Sequence, residues 1–300
     1  MLFILIGATI SWIFLLYREA DARTRDPALQ EWFGVRTGNT SSQTLPDFGF
    51  IMPRCVRMEL HNELWRENYR CLRALFPKAP IVIIDDHSNT TLVDQGFNMT
   101  NAVVVPSKLP PGKGEALPYL YFHKHKPFRK AVMLNDGMFI LQREPLWSAL
   151  QNTSDYRFLW HFDSVSLQYD LEAQHFLIST LCPETQDQLR ALQGNSEQWA
   201  ASFASAVIMT WDFLDHLNAT YGFVSMLSAV EGRDHRKGLE RVVGLTCIDA
   251  TGRRPASQLS VYGDIHAHMK PFNYFWYEYM RQKATGALSN VTAVKVWNGR

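Results

Sequence analysis

Three short runs constrain this 300-residue chain more than anything else in it: Ile81-Val-Ile-Ile84, Ala102-Val-Val-Val105 and Ala131-Val-Met-Leu134. Each is apolar and rich in β-branched residues, with no polar alternation. That is the pattern of a strand covered on both faces, and such strands belong to parallel sheets flanked by helices. The first run stops at Asp85-Asp86, the second at Pro106 and the third at Asn135-Asp136-Gly137. Upstream, Phe48-Gly-Phe-Ile-Met-Pro53 reads as an opening strand, and 59–76 carries Leu60, Leu64, Tyr69, Leu72 and Leu75 at helical spacing. A further helix is expected at 115–123. Alternating strands and helices over about 90 residues predict a doubly wound α/β layer. Ligands of such sheets sit beyond the carboxyl ends of the strands, which singles out Arg54, Asp85, Asp86, Asn135 and Asp136.

The second half is more mixed. Strands are expected at 156–162 and 202–209, and helices at 167–178, 184–192, 211–217, 223–230 and 234–244. The length admits two domains or one large α/β domain. Apolar residues make up 46% and charged residues 20%, which excludes collagenous, disordered and polytopic membrane chains. A net charge of +1 lacks the excess positive charge of a nucleic-acid-binding domain. Cys55, Cys71, Cys182 and Cys247 show no CxxC spacing, so neither a zinc ribbon nor a redox pair is indicated. The count allows none, one or two disulfides.

Residues 2–17 carry no charge and are followed by Arg18, Glu19, Asp21, Arg23, Arg25 and Asp26. The run is short for a membrane span and long for a core helix. It is read as an uncleaved signal anchor over 1–17, followed by a stem over 18–46 and a folded domain over 47–300. The alternative is a cleaved signal peptide ending at Ala20-Asp21-Ala22. Post-anchor arginines favour a cytosolic body by the positive-inside rule. Against this stand six N-x-S/T sites, at Asn39, Asn89, Asn98, Asn152, Asn218 and Asn290, where composition alone would give roughly 1.5. They favour a lumenal body in the Golgi or endoplasmic reticulum.

Taken together, Ile-Met-Pro-Arg (51–54), Ile-Val-Ile-Ile-Asp-Asp-His-Ser (81–88) and Ala-Val-Met-Leu-Asn-Asp-Gly-Met-Phe (131–139) resemble the GT-A glycosyltransferases, the nucleotide-diphospho-sugar transferase fold. The resemblance spans about 48–140. It implies a mixed sheet with flanking helices in a single catalytic domain, and transfer of a sugar from a nucleotide diphosphate sugar to a glycan or glycoprotein hydroxyl. By the same resemblance Arg54, Asp85 and Asp86 would meet the nucleoside, with Lys113, Asn135 and Asp136 also at the nucleotide. Asp136, with His266 returning from the C-terminal part, would hold Mn²⁺ or Mg²⁺ on the diphosphate, and His268 is a weaker candidate. The chain departs from the family's usual Asp-x-Asp in having a single carboxylate at Asn135-Asp136.

An inverting reaction needs a general base, because an acceptor hydroxyl is a poor nucleophile until a carboxylate takes its proton. The segment 231–241 offers three acids, of which Asp234 and then Glu231 are the candidates, and Asp234 also suits an N-cap. Arg233, Arg236 and Lys237 could offset diphosphate charge. The loop Pro110-Pro-Gly-Lys-Gly-Glu115 lacks Walker A spacing, and the reading preferred for Lys113 from the sequence is a solvated loop lysine. Trp160, Trp199 and Trp211 are expected as core residues or as faces of an acceptor cleft. The alternative function is a catalytically inactive GT-A-like carbohydrate-binding module of the secretory pathway.

Overall fold

The computed structural model describes residues 28, 29, 31, 32, 45–93, 96–252, 260–268 and 274–297. The chain divides into two units, Met1–Thr44 and Leu45–Arg300. In the first, Ala28, Leu29, Glu31 and Trp32 are helical. The anchor expected at 1–17, nearly all of the stem, and Asn39 lie outside the described residues. Among the described residues no helix is long and apolar enough to cross a membrane.

The second unit opens with β1 (Phe48–Arg54), α1 (Glu59–Leu75), β2 (Ile81–Asp85), β3 (Ala102–Pro106), α2 (Leu117–His125) and β4 (Lys130–Met133). It continues through β5 (Met138–Ile140), α3 (Leu146–Asn152), β6 (Tyr156–Phe158), β7 (His161–Phe162), α4 (Leu171–Ser179) and α5 (Pro183–Gln193). Then come β8 (Ala201–Ser202), β9 (Val207–Thr210), α6 (Trp211–Tyr221), α7 (Phe223–Ser228) and α8 (Gly232–Thr251). The last elements are α9 (Ile265–His268), α10 (Trp276–Ala284) and β10 (Ala293–Lys295).

A six-stranded sheet has the order β3-β2-β1-β4-β9-β6. β1 pairs in parallel with β2 and β4, β2 with β3, and β9 runs antiparallel to both β4 and β6. Ile81 to Ile84 are at most 1% exposed, so each contributes on the order of 1.5–3 kcal/mol by leaving water. From β1 the chain moves outward through α1 to β2 and β3, and then returns through α2 to β4 on the other side of β1. Right-handed crossovers in opposite directions put these helices on opposite faces. The carboxyl ends of β1 and β4 therefore flank a switch point, where such a sheet opens a crevice.

Two expected strands are each broken in two. Residues 156–162 split into β6, in the main sheet, and β7, which pairs with β8 in a separate two-stranded sheet. Residues 202–209 split because Ala204 and Ser205 take positive φ values of 50° and 51° between β8 and β9. The run Phe203-Ala-Ser-Ala-Val-Ile looks continuous by composition, but a pair of left-handed residues cannot continue a strand. The buried Tyr119 hydroxyl donates to Ser205 O at 2.6 Å and holds this turn.

β5, α10 and β10 have no counterpart among the expected elements. β5 pairs antiparallel with β10, which lies more than 150 residues further along the chain. α10 is mostly exposed, with Tyr279 as its buried residue. Tyr279 packs with Leu64, Phe139, Val294 and Val296. Its hydroxyl donates to the buried Glu67 at 2.6 Å, and Lys283 also donates to that carboxylate. Burial opposes ionisation of Glu67, but the Lys283 and Tyr279 hydrogen bonds outweigh it and hold its pKa below the usual glutamate value. This cluster seats β10 against the carboxyl side of β4.

Candidate active-site cleft

At the end of β1, Arg54 Nε donates to Asp85 Oδ2 at 2.6 Å, and the guanidinium lies 4.9 Å over the Trp65 ring. The other Asp85 oxygen accepts from Ser88 N at 2.9 Å. Both oxygens thus order the strand end. Asp86 sits one residue on, with its side chain directed elsewhere by the strand's alternation. Its carboxylate accepts from Gly112 N at 3.3 Å and from Gly114 N at 3.0 Å. Asp86 thereby ties the glycine loop to the strand end.

Lys113, between those glycines, is 4% exposed. Its ammonium donates to Ser228 O at 2.6 Å and Val230 O at 2.8 Å, fastening the loop to the end of α7. Burial pushes its pKa down, against the opposing pull of Glu231 and Asp86. Lys113→Met leaves two carbonyls without a charged donor. It is expected to cost about 2 kcal/mol, roughly 5 °C of melting temperature, while nucleotide affinity stays within about twofold. Weaker nucleotide binding at an unchanged melting temperature would instead put the ammonium on the ligand.

Beyond β4 the chain turns through Asn135-Asp136-Gly137. Asn135 Oδ1 accepts from Gly137 N at 3.2 Å, its carbonyl accepts from Asn68 Nδ2 at 2.8 Å, and Val296 N donates to Gly137 O at 2.8 Å. One bond within the turn and two distant segments therefore hold it. A Cβ on Gly137 would fall 2.5 Å from Val296 O and 2.9 Å from Lys295 Nζ, so this approach needs glycine. Asn135, Asp136 and Lys295 are 8%, 4% and 6% exposed.

The opposite wall comes from α8 and the 203–205 turn. Glu240 Oε1 accepts from Ala204 N at 3.0 Å, and Oε2 lies 3.4 Å from Arg241. Burial, reinforced by Glu115 and Asp170 and opposed by Arg241 and the Ala204 amide, pushes its carboxyl up to about 8. Asp170 is engaged by Lys237 and Arg241, each at 3.6 Å. Arg236 pairs with Glu115 at 3.2 Å, linking α8 to the glycine loop.

Arg54, Asp86, Asn135, Asp136, Asp170 and Glu240 face a cleft of about 790 Å³. Seven basic side chains and five carboxyls line it. Of the expected residues, the cleft brings together Arg54, Asp86, Asn135, Asp136 and His266, with Arg233, Arg236 and Lys237. Asp85, Lys113, Glu231 and Asp234 are not part of its lining. Asp234 is solvated, and the Lys237 ammonium 2.9 Å away holds its carboxyl below the usual range. Glu231 is exposed at the start of α8. The lining residues not singled out in advance include Glu240, Asp170, Tyr169 and Lys295. Among them only Glu240 lay in a stretch already marked as acid-rich.

The three tryptophans lie elsewhere. Trp199 is 1% exposed, Trp160 packs on Tyr262 at 4.8 Å, and Trp211 donates to His123 O while Lys126 sits 3.6 Å over its ring. The four cysteines form no disulfide.

A divalent cation wants several hard oxygen ligands. The acid turn offers one carboxylate, and the Asn135 amide oxygen already accepts from Gly137 N. Among the described residues no three His, Cys, Asp or Glu side chains form a group able to hold a metal. His266 shares the cleft, and the side chain of His268 lies outside the described residues. With Lys295 Nζ beside the turn, these donors do not make a fitting protein site for Mn²⁺ or Mg²⁺.

No family model matches this chain, and no curated protein matches it. Among solved structures it is similar to S. aureus TarS in complex with UDP-GlcNAc, at 19% identity over 38% of this chain and 34% of that one, with a TM-score of 0.30. The chain thus spans about a third of that structure's length. It is similar to the core-mannan synthase A of Aspergillus fumigatus in its Mn/GDP form, at 13% identity over 73% and 74% of the two chains, with a TM-score of 0.35. It is also similar to the galactosyltransferase LgtC in complex with donor and acceptor sugar analogs, at 11% identity over 84% and 87%, with a TM-score of 0.39.

Proposed function

We propose that this chain transfers a sugar from a nucleotide diphosphate sugar to a hydroxyl of a glycan or glycoprotein. One observation carries the reading: the cation-lined cleft opens at the carboxyl ends of β1 and β4, beside the switch point of the sheet. Arg54 and the Asp86-held glycine loop flank the nucleoside end. Asn135 and Asp136 lie at the diphosphate and donor sugar, and Arg233, Arg236 and Lys237 offset the phosphate charge. Asp85 and Lys113 position these groups without touching the donor. Tyr169, 60% exposed at the rim, offers a face on which an acceptor sugar can stack.

Glu240 takes the role expected of Asp234 or Glu231, because it is the α8 carboxyl that lines the cleft. Its ionised form accepts the acceptor's hydroxyl proton as the oxygen bonds to the anomeric carbon. The bond from that carbon to the phosphate oxygen breaks, and the nucleoside diphosphate leaves with the electron pair.

We further place the domain in the secretory lumen behind an N-terminal anchor, as a single-pass Golgi or endoplasmic reticulum protein. Asn89, Asn98, Asn152 and Asn290 are exposed, as glycan acceptors must be. The test is the melting temperature of the full chain against UDP- and GDP-sugars. One base class at 100 times its Kd should add about 2.7 kcal/mol, a rise of roughly 5–10 °C, and adding acceptor should release the nucleotide. A folded, glycosylated protein that answers to none of these donors is the carbohydrate-binding module instead.

A further inference from the structure

We infer that Asn290 carries an N-linked glycan whose first sugars lie in a second, aromatic cavity beside their point of attachment. The inference rests on the proposed lumenal location. This cavity measures about 910 Å³ and shares no lining residue with the cleft. Trp160, Tyr262, Tyr274, Phe275 and Tyr277 ring it. Tyr277 is 77% exposed and Phe275 48%, and large apolar faces left open side by side mark a binding surface. Asn290, itself exposed, lines the same cavity together with Val291 and Thr292. The whole acceptor triplet Asn290-Val291-Thr292 therefore borders the rings. Among the described residues, Asn89, Asn98, Asn152 and Asn218 have no such surface, since none of them lines this cavity.

Attachment point and rings are both held in place before any sugar arrives. Leu141 N and Gln142 N donate to Thr292 O at 2.9 and 3.1 Å, and Gln142 Nε2 donates to Ser289 O at 2.9 Å. On the aromatic side, Trp297 N donates to Tyr274 O at 2.8 Å, and the Tyr274 hydroxyl donates to Gln282 Oε1 at 2.9 Å. In the modification Asn290 Nδ2 gives up a proton and bonds to the anomeric carbon of an N-acetylhexosamine. The lipid-linked diphosphate that carried the oligosaccharide leaves with the electron pair. The C–H face of a pyranose is apolar and suits an aromatic ring, while its hydroxyls stay wet. A tethered sugar meets these rings at a high effective concentration, so a contact too weak to capture free sugar is enough to seat it.

The test expresses the full chain in a secretory host and follows glycan release from the native protein by peptide N-glycosidase, site by site, by mass spectrometry. Wild type, Tyr277→Ala and Tyr277→Trp are compared, and Tyr277 is exposed enough that neither change disturbs the core. The expected result is release at Asn290 about tenfold slower than at Asn89, Asn98 or Asn152, a protection of about 1.4 kcal/mol that disappears on denaturation. Tyr277→Ala should abolish most of it and Tyr277→Trp should keep it. Equal release rates in the wild type, or protection that survives Tyr277→Ala, overturn the inference and leave the lumenal reading standing. So does a bare Asn290 beside other occupied sites, which leaves the cavity to a separate ligand. A chain with no glycan at any site overturns both.

Discussion

Replacing Glu240 by glutamine is expected to slow sugar transfer by roughly two to four orders of magnitude, with donor affinity unchanged. Glutamine keeps an oxygen to accept from Ala204 N, gives up the ion pair with Arg241 and cannot take a proton. With the wild-type carboxyl pushed up to about 8, its basic form grows as pH rises. The wild-type rate should therefore climb to about pH 8 and level off, and the residual Glu240→Gln rate should show no such limb. Stability moves the opposite way. The folded chain holds this proton more tightly than the unfolded chain, whose glutamate titrates near 4.5. The stabilisation from the bound proton is complete below about 4.5 and is lost as pH rises to about 8. The melting temperature of Glu240→Gln relative to wild type should therefore rise between those values and then stay constant. Calorimetry at pH 5 and pH 8.5 that gives equal differences would make Glu240 an ordinary solvated acid and remove it as the base.

Gly244→Ala is expected to destabilise the chain by about 3 kcal/mol, lowering its melting temperature by roughly 10 °C, and to reduce transfer with it. A Cβ at Gly244 would lie 2.2 Å from Ala200 O and 2.9 Å from Ala201 Cα. Both are backbone atoms beside β8, so neither can swing aside. Six residues earlier, Gly238 makes a similar approach, with its Cβ position 2.9 Å from the backbone of Ala173. α8 thus lies directly on β8 and α4, and this contact sets the depth of Glu240 one turn before Gly244. A fall of less than 1 °C would mean that the helix has room to shift, and that the depth of Glu240 is set elsewhere.

What could be read in advance follows from locality. The strands at 81–85 and 130–133 are continuous apolar runs, and burial on both faces of a parallel sheet has no other simple source. Strand ends then locate Arg54, Asp86, Asn135 and Asp136 at the cleft, because the chain must leave a parallel sheet at its carboxyl edge. The adjacent acids Asp85 and Asp86 look equivalent as a pair of letters. The strand's alternation separates them, one toward Arg54 and one toward the glycine loop.

The rest depended on groups that meet only after folding. Lys113 reads as a solvated loop residue until the carbonyls of Ser228 and Val230, over a hundred residues on, surround its ammonium. Glu240 is one of three acids in a charged segment, and its raised pKa comes from burial and from Glu115 and Asp170. Lys295 stands in a short strand whose partner lies beyond the reach of any local pattern. The sequence by itself determined the α/β layer and the edge at which it opens, since hydrophobic runs and strand direction are properties of neighbouring residues. Which carboxyl is driven toward neutrality, and which ammonium sits at the acid turn, only the tertiary structure decided, because burial and charge are set by whatever the fold brings within a few ångströms.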